Sequence, residues 1–213
     1  MNKLLAGLLL LSLSAIPSMA LADDAPPPNL FNDVEYGDEG YWEIYDLKEA
    51  GIISGYADGS FKPNNTVNRA EFAKIVSTAA WDHDPSTDTL GGELPFSDIN
   101  VSDWFEPYIH KLFTQNVISG YDDGTFKPSN TINFAEAAKV LVNSYECFVI
   151  TEGYDSWWEP YTTKLLDLEV VPDSIQEDTS PWYAKEVTRV EMAQLVDGME
   201  DVTEDNDGVC PSN

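Results

Sequence analysis

The segments "IISGYADGSFKPNNTVNRAE" (52–71) and "VISGYDDGTFKPSNTINFAE" (117–136) are near-copies within one chain, and their reading decides the fold. In each, Asp-Gly (Asp58-Gly59, Asp123-Gly124) predicts a tight turn, because aspartate bonds the nearby backbone and glycine accepts positive φ. Pro63 and Pro128 then fix the chain direction. Asn68-x-x-Glu71 and Asn133-x-x-Glu136 follow, each pairing a short capping side chain with a glutamate three residues on, which predicts a helix start.

Working outward, Phe31-Asn32-Asp33-Val34 meets Phe96-Ser97-Asp98-Ile99. Ile44 and Leu47 meet Ile109 and Leu112 on a first helix, and Gly51 and Asn116 fall where a left-handed C-cap is wanted. Downstream, Phe72, Ile75, Val76 and Ala79 recur at helical spacing and predict a second helix with one buried face. A weaker third copy keeps its ends. "WWEPYTTKLL" (157–166) matches "WFEPYIHKLF" (104–113), and "VTRVEMAQLV" (187–196), with the cap Thr188-x-x-Glu191, matches "INFAEAAKVL" (132–141). Its middle, "PDSIQEDTSPWYAKE" (172–186), has lost the Ser-Gly-Tyr and Asp-Gly pattern. The expected fold is all-α: helix-loop-helix repeats at 29–81, 94–148 and 154–200 that share one core, then an acidic tail at 201–213.

Residues 1–22 combine Lys3, an apolar run from Leu4 to Ile16 and an Ala20-Leu21-Ala22 end, the pattern of a secretory signal peptide. The 213 residues carry 38 Asp and Glu against 11 Lys and Arg, a formal charge of −27, one unit more negative once Lys3 is removed. Such a field repels nucleic acid and anionic lipid, and no later stretch is apolar for long enough to insert in a membrane. Aromatic residues at 12% argue for a packed core rather than a disordered acidic tail. In an exported chain the two cysteines, Cys147 and Cys210, are candidates for one disulfide. His83 and His110 share no metal-ligand spacing, the "EDNDGVC" segment (204–210) lacks the later glutamate of a calcium loop, and no nucleotide or nucleophile motif is present. No cofactor, no metal and no enzymatic activity are therefore expected.

The combination F-x-D-V, an aromatic-bearing first helix, G-I-I-S-G-Y-x-D-G-x-F-x-P and an N-R-A-E helix start resembles the S-layer homology family. The resemblance implies three repeats packed as a pseudo-threefold helical assembly with grooves between neighbours. It also implies attachment to the cell envelope through cell-wall polysaccharide or modified peptidoglycan, with surface-layer proteins as further partners. The protein is then expected to be exported and held peripherally at the envelope or cell surface. The other reading is a structural or protein-interaction adaptor of a surface layer, for which the decay of the third copy speaks.

Carried over by position, Arg69 and Arg189 are the family's glycan-contacting arginines, with Phe134 in the second copy. Ser54-Gly55 and Ser119-Gly120 are its Ser-Gly pairs, with Pro172-Asp173 in the third. Arg69 also stands at a first helical position, where backbone N–H groups and a guanidinium together suit a carboxylate. The first copy alone holds both parts, so either an intact groove borrows parts from neighbouring units or only one groove binds, with Arg69 and Ser54-Gly55 as the leading site. Trp104, Trp157 and Trp158 open the first helices and serve there either as core or as platforms for a sugar ring. The capping boxes account for Glu71, Glu136 and Glu191 without catalysis.

Overall fold

The structure is a computed structural model that describes residues 29–86, 92–147, 152–176, 181–206 and Cys210. The expected leader, residues 1–22, lies outside the described residues. Among these residues the chain is helical, with four isolated β-bridges and no strand. Each repeat contributes a short first helix and a longer second one. The first helices are α1 (Tyr41–Glu49), α3 (Glu106–Thr114) and α5 (Glu159–Asp167). The second helices are α2 (Arg69–Trp81), α4 (Phe134–Ser144) and α7 (Arg189–Glu204). Between α5 and α7 lie the one-turn α6 (Asp173–Gln176) and a 3-10 turn, Trp182–Ala184. α7 runs to Glu204, so the acidic tail begins later than residue 201 and its first residues are helical.

All three second helices start on a complete capping box. The Glu71 N–H donates to Asn68 Oδ1 at 2.8 Å and the Asn68 N–H to Glu71 Oε2 at 3.2 Å. Asn133 with Glu136 and Thr188 with Glu191 repeat the exchange. The first helices end at left-handed residues, Gly51 (φ 77°) and Asn116 (φ 59°), which release the chain toward the loop.

The F-x-D motif has a role that the sequence pattern did not disclose. Asp33 accepts the N–H groups of Phe61 (2.7 Å) and Lys62 (2.8 Å), and Asp98 accepts those of Phe126 and Lys127, both at 2.8 Å. One carboxylate thus holds the far side of each Asp-Gly turn, where Lys62 and Lys127 take positive φ. Ser-Gly serves the same clamp. A Cβ on Gly55 would lie 2.3 Å from the Phe31 ring and 2.6 Å from the Ser60 carbonyl oxygen, and one on Gly120 would lie 2.3 Å from the Phe96 ring.

The repeats close into a ring. The Val67 N–H donates to the Val187 carbonyl (2.9 Å), Val187 to Ile132 (3.0 Å) and Ile132 back to Val67 (3.0 Å), so one residue from each unit completes a cyclic set of backbone hydrogen bonds. All three side chains are buried there. A second cycle lies two residues on: Arg69 N–H to Asn130 (2.9 Å), Phe134 N–H to Lys185 (2.9 Å) and Arg189 N–H to Asn65 (2.8 Å). Around this axis α2 packs on α3, α4 on α5 and α7 on α1. Each second helix therefore buries its stripe against the next unit's first helix, and one core runs through all three units. Cys147 and Cys210, both buried, are joined in a disulfide that ties the end of the second unit to the chain beyond α7.

Candidate functional site

Among the described residues, all eight glycan-contact candidates from the sequence line two of the clefts between units. Ser54 and Gly55, with Trp104 of the second unit and Arg189 of the third, line a cavity of about 180 Å³. Ser119 and Gly120, with Trp157 of the third unit and Arg69 of the first, line another of about 200 Å³. Each cleft is thus assembled from three units. The pairing of Arg69 with Ser54-Gly55 inside the first copy is corrected: the second helix starts in the neighbour's loop, so each arginine meets a Ser-Gly pair of another unit.

The clefts also share residues that sequence reasoning passed over. Tyr56, Glu71 and Lys74 line the first, and Tyr121, Glu136 and Lys139 line the second. The signal was available, since all three types repeat at matching positions of the two near-copies. From the sequence the glutamates are assigned to capping alone, and the tyrosines and lysines are given no role.

The arginines do two jobs. Arg189 Nε donates to the Phe61 carbonyl at 2.7 Å and Nη2 to the Ser54 carbonyl at 3.1 Å, with the guanidinium over the Tyr56 and Phe61 rings at 5.1 and 4.4 Å. Arg69 Nε donates to the Phe126 carbonyl at 2.9 Å, and Nη1 lies 3.3 Å from Glu136 Oε1. It stacks over Tyr121 and Phe126 at 4.8 and 4.5 Å. Residue Arg189 is 6% exposed and the Arg69 side chain 10%, so both act first as fasteners between units. Neither is the freely presented anion fork expected from its helix position.

Glu136 accepts from the Tyr121 hydroxyl (2.7 Å) as well as facing Arg69. Burial, then this hydrogen bond, pushes the Tyr121 hydroxyl up to about 12, so the phenol stays a donor. What each cleft offers to solvent is an indole and an ammonium: Trp104 and Trp157 are each 56% exposed, and Lys139 lies 5.6 Å over the Trp157 ring. Among the described residues no group of three His, Cys, Asp or Glu side chains could hold a metal ion.

The third corner of the ring is different. Phe134 stands where the others have arginine, Gln194 where they have lysine, and Glu39, two residues before α1, where Trp104 and Trp157 precede α3 and α5. Lys185 fills the space instead, 2.5 Å from Glu191 Oε1 and 2.7 Å from the Ser174 carbonyl, while the Ser174 hydroxyl donates to the same carboxylate at 2.8 Å. Burial opposes ionisation of Glu191, yet the hydrogen bonds from Lys185, Thr188 and Ser174 hold its carboxyl below the usual range. Phe134 packs on Trp182, and Trp158 stacks on Tyr183 at 4.0 Å, so Trp158 is used in packing. Losses scattered over three copies in sequence meet at this one corner, which the chain closes by itself.

The three helix-loop-helix units thus form a ring with polar, tryptophan-bearing clefts between units. Residues 31–73 and 95–138 match the S-layer homology domain, so two of the repeats carry that domain. The chain is similar to the Cell surface glycoprotein 1 of Acetivibrio thermocellus, 34% identical over 49% of this chain and 5% of that protein. It is also similar to a Surface layer protein of Brevibacillus choshinensis (28% identical, 46% of this chain, 9% of that one). A third relative is the Cellulosome-anchoring protein of Acetivibrio thermocellus (29% identical, 54% and 26%). The chain thus spans a small part of the length of these relatives. Among the described residues no helix is long and apolar enough to cross a membrane.

Proposed function

We propose that this chain is a non-enzymatic cell-envelope module, exported and peripherally attached, that binds an acidic cell-wall polysaccharide or modified peptidoglycan in its two open clefts. The observation that carries the reading is where the cations lie. In a chain of charge −27, Arg69, Arg189, Lys74 and Lys139 line the clefts, and Lys62 and Lys127 stand over the cleft tyrosines at 4.0 and 4.1 Å. Positive charge concentrated in a concave site of an otherwise anionic molecule draws in an anionic ligand and lowers its repulsion from the remaining surface. The exposed indoles supply flat apolar faces for pyranose rings. The names of the relatives, cell-surface and anchoring proteins, point the same way.

The reading requires two equivalent sites per chain. Lys74→Ala with Trp104→Ala should remove one of them, and Lys139→Ala with Trp157→Ala the other, without unfolding, because these side chains are not among the backbone fasteners. Sedimentation with purified sacculi, before and after extraction of the secondary polysaccharide, measures it. Each double variant should halve the bound glycan at saturation, and the quadruple variant should stay in the supernatant. Undiminished sacculus binding by the quadruple variant would sink the assignment.

A further inference from the structure

The corner that lost its cleft carries a different surface. Tyr36, Tyr41 and Trp42 meet edge to face, with centroids 5.3 to 6.0 Å apart and rings 85° to 88° from parallel. Tyr41 is buried as the floor, while Tyr36 is 55% and Trp42 50% exposed. Neither exposed ring lines a cleft. The repeat fold does not require them, because α3 and α5 begin with Glu-Pro (Glu106-Pro107, Glu159-Pro160) where α1 begins with Tyr41-Trp42. Proline suits a first turn, so the first unit gave up a good helix start and left two large rings in water.

The patch is held rigidly and is anionic. Gly40, at φ 74°, caps α1 so close to α7 that a Cβ there would lie 2.2 Å from Val190 Cγ2. Glu35, Asp38, Glu39, Glu43 and Asp46 surround the rings in sequence, and Lys48, at the far end of α1, is the one cation between residues 29 and 61. An aromatic face presents its negative quadrupole to a cation, and neighbouring carboxylates add to the attraction.

We infer that this corner is a docking surface for a lysine- or arginine-rich segment of a partner protein, opposite in charge preference to the two clefts. Flexible basic side chains lie across the Trp42 and Tyr36 faces while their charged ends reach the flanking carboxylates. A second copy of this chain is disfavoured by its own charge.

The probe is a hexalysine peptide added at low salt to the protein, with NMR following the indole N–H groups of the six tryptophans. Trp42 should shift most, Trp104 and Trp157 little, and the affinity should fall at least tenfold in the Tyr36→Ala/Trp42→Ala variant. Glu39→Lys with Glu43→Lys leaves the rings in place and should weaken binding comparably, which separates loss of the surface from loss of the fold. Equal shifts at all six indoles with undiminished affinity in the ring variant would mean diffuse attraction to an acidic protein and overturn the inference. A neutral N-acetylglucosamine tetramer moving Trp42 when hexalysine does not would overturn it in favour of a sugar platform.

Discussion

At the scale of single residues, Arg189 and Arg69 show why a site and a joint occupy the same positions. A guanidinium that accepts no hydrogen bond can still span two units by donating to carbonyls of one from a helix start of the other. Removing it leaves the buried Phe61 or Phe126 carbonyl without its partner, so Arg189→Ala should lower the unfolding free energy by about 1.5–3 kcal/mol, and Arg69→Ala by a similar or smaller amount. Arg189→Lys should recover part of the loss, since an ammonium cannot keep the planar fork. Denaturant titration measures each variant, and an unchanged midpoint for Arg189→Ala would show the joint to be idle. Gly55→Ala should cost about 1–3 kcal/mol because the Phe31 ring and the Ser60 carbonyl oxygen must both shift. Gly120→Ala should cost no less, since that residue also sits at φ 72°. The sequence made these arginines and glycines visible as motif positions. It did not show their partners, which lie in other units or far along the chain, and so the grouping of Arg69 with its own Ser-Gly pair failed, although all eight candidate residues line the two clefts.

At the scale of elements, the packing of α7 on α1 closes the ring and gathers carboxylates. Burial, then the charges of Asp201, Asp46, Glu43 and Glu200, raises Asp197 to about 7. Asp46 is raised by burial and by Asp201, and burial outweighs the Tyr145 hydrogen bond in raising Glu200. An acid whose folded value lies above its unfolded one contributes stability when protonated and loses it as pH climbs. This joint should therefore weaken from about pH 4 to pH 7. Glu191 acts in the opposite sense, its contribution fading as pH falls below the ordinary glutamate range. Asp197→Asn should raise Tm at pH 8, by on the order of 2 kcal/mol of stability, and flatten the dependence between pH 5 and 7. A melting series showing the variant no more stable than the parent at pH 8 would refute this. The helices themselves were legible, because capping boxes and apolar spacing are local. The α7–α1 joint was not, since it joins elements from opposite ends of the repeat array.

At the scale of the whole molecule, the cyclic bonds among Val67, Ile132 and Val187 make the units interdependent. Deleting residues 154–200 strips one member from each cycle and exposes the α1 and α4 stripes, so the remainder should lose cooperative melting rather than keep two thirds of it. A truncated chain that still unfolds in one sharp calorimetric transition at the parent temperature would contradict the closed ring. Reducing the Cys147–Cys210 bond, which spans 63 residues, should lower stability by up to about 4 kcal/mol. The three units could be read from internal similarity, including the faint third, because repetition is a property of the text, whereas their pseudo-threefold packing was what the family resemblance implied. Closure of the third corner could not, since Glu39, Phe134, Gln194 and Lys185 come together only when the ring forms. That convergence changes what counts as the unit. The motif residues present and missing sort by the corner they face rather than by the copy they belong to. The third copy therefore lends Trp157 and Arg189 to its neighbours' clefts while lacking the parts of its own, so its departures from the pattern belong to one corner of the ring rather than to one whole repeat.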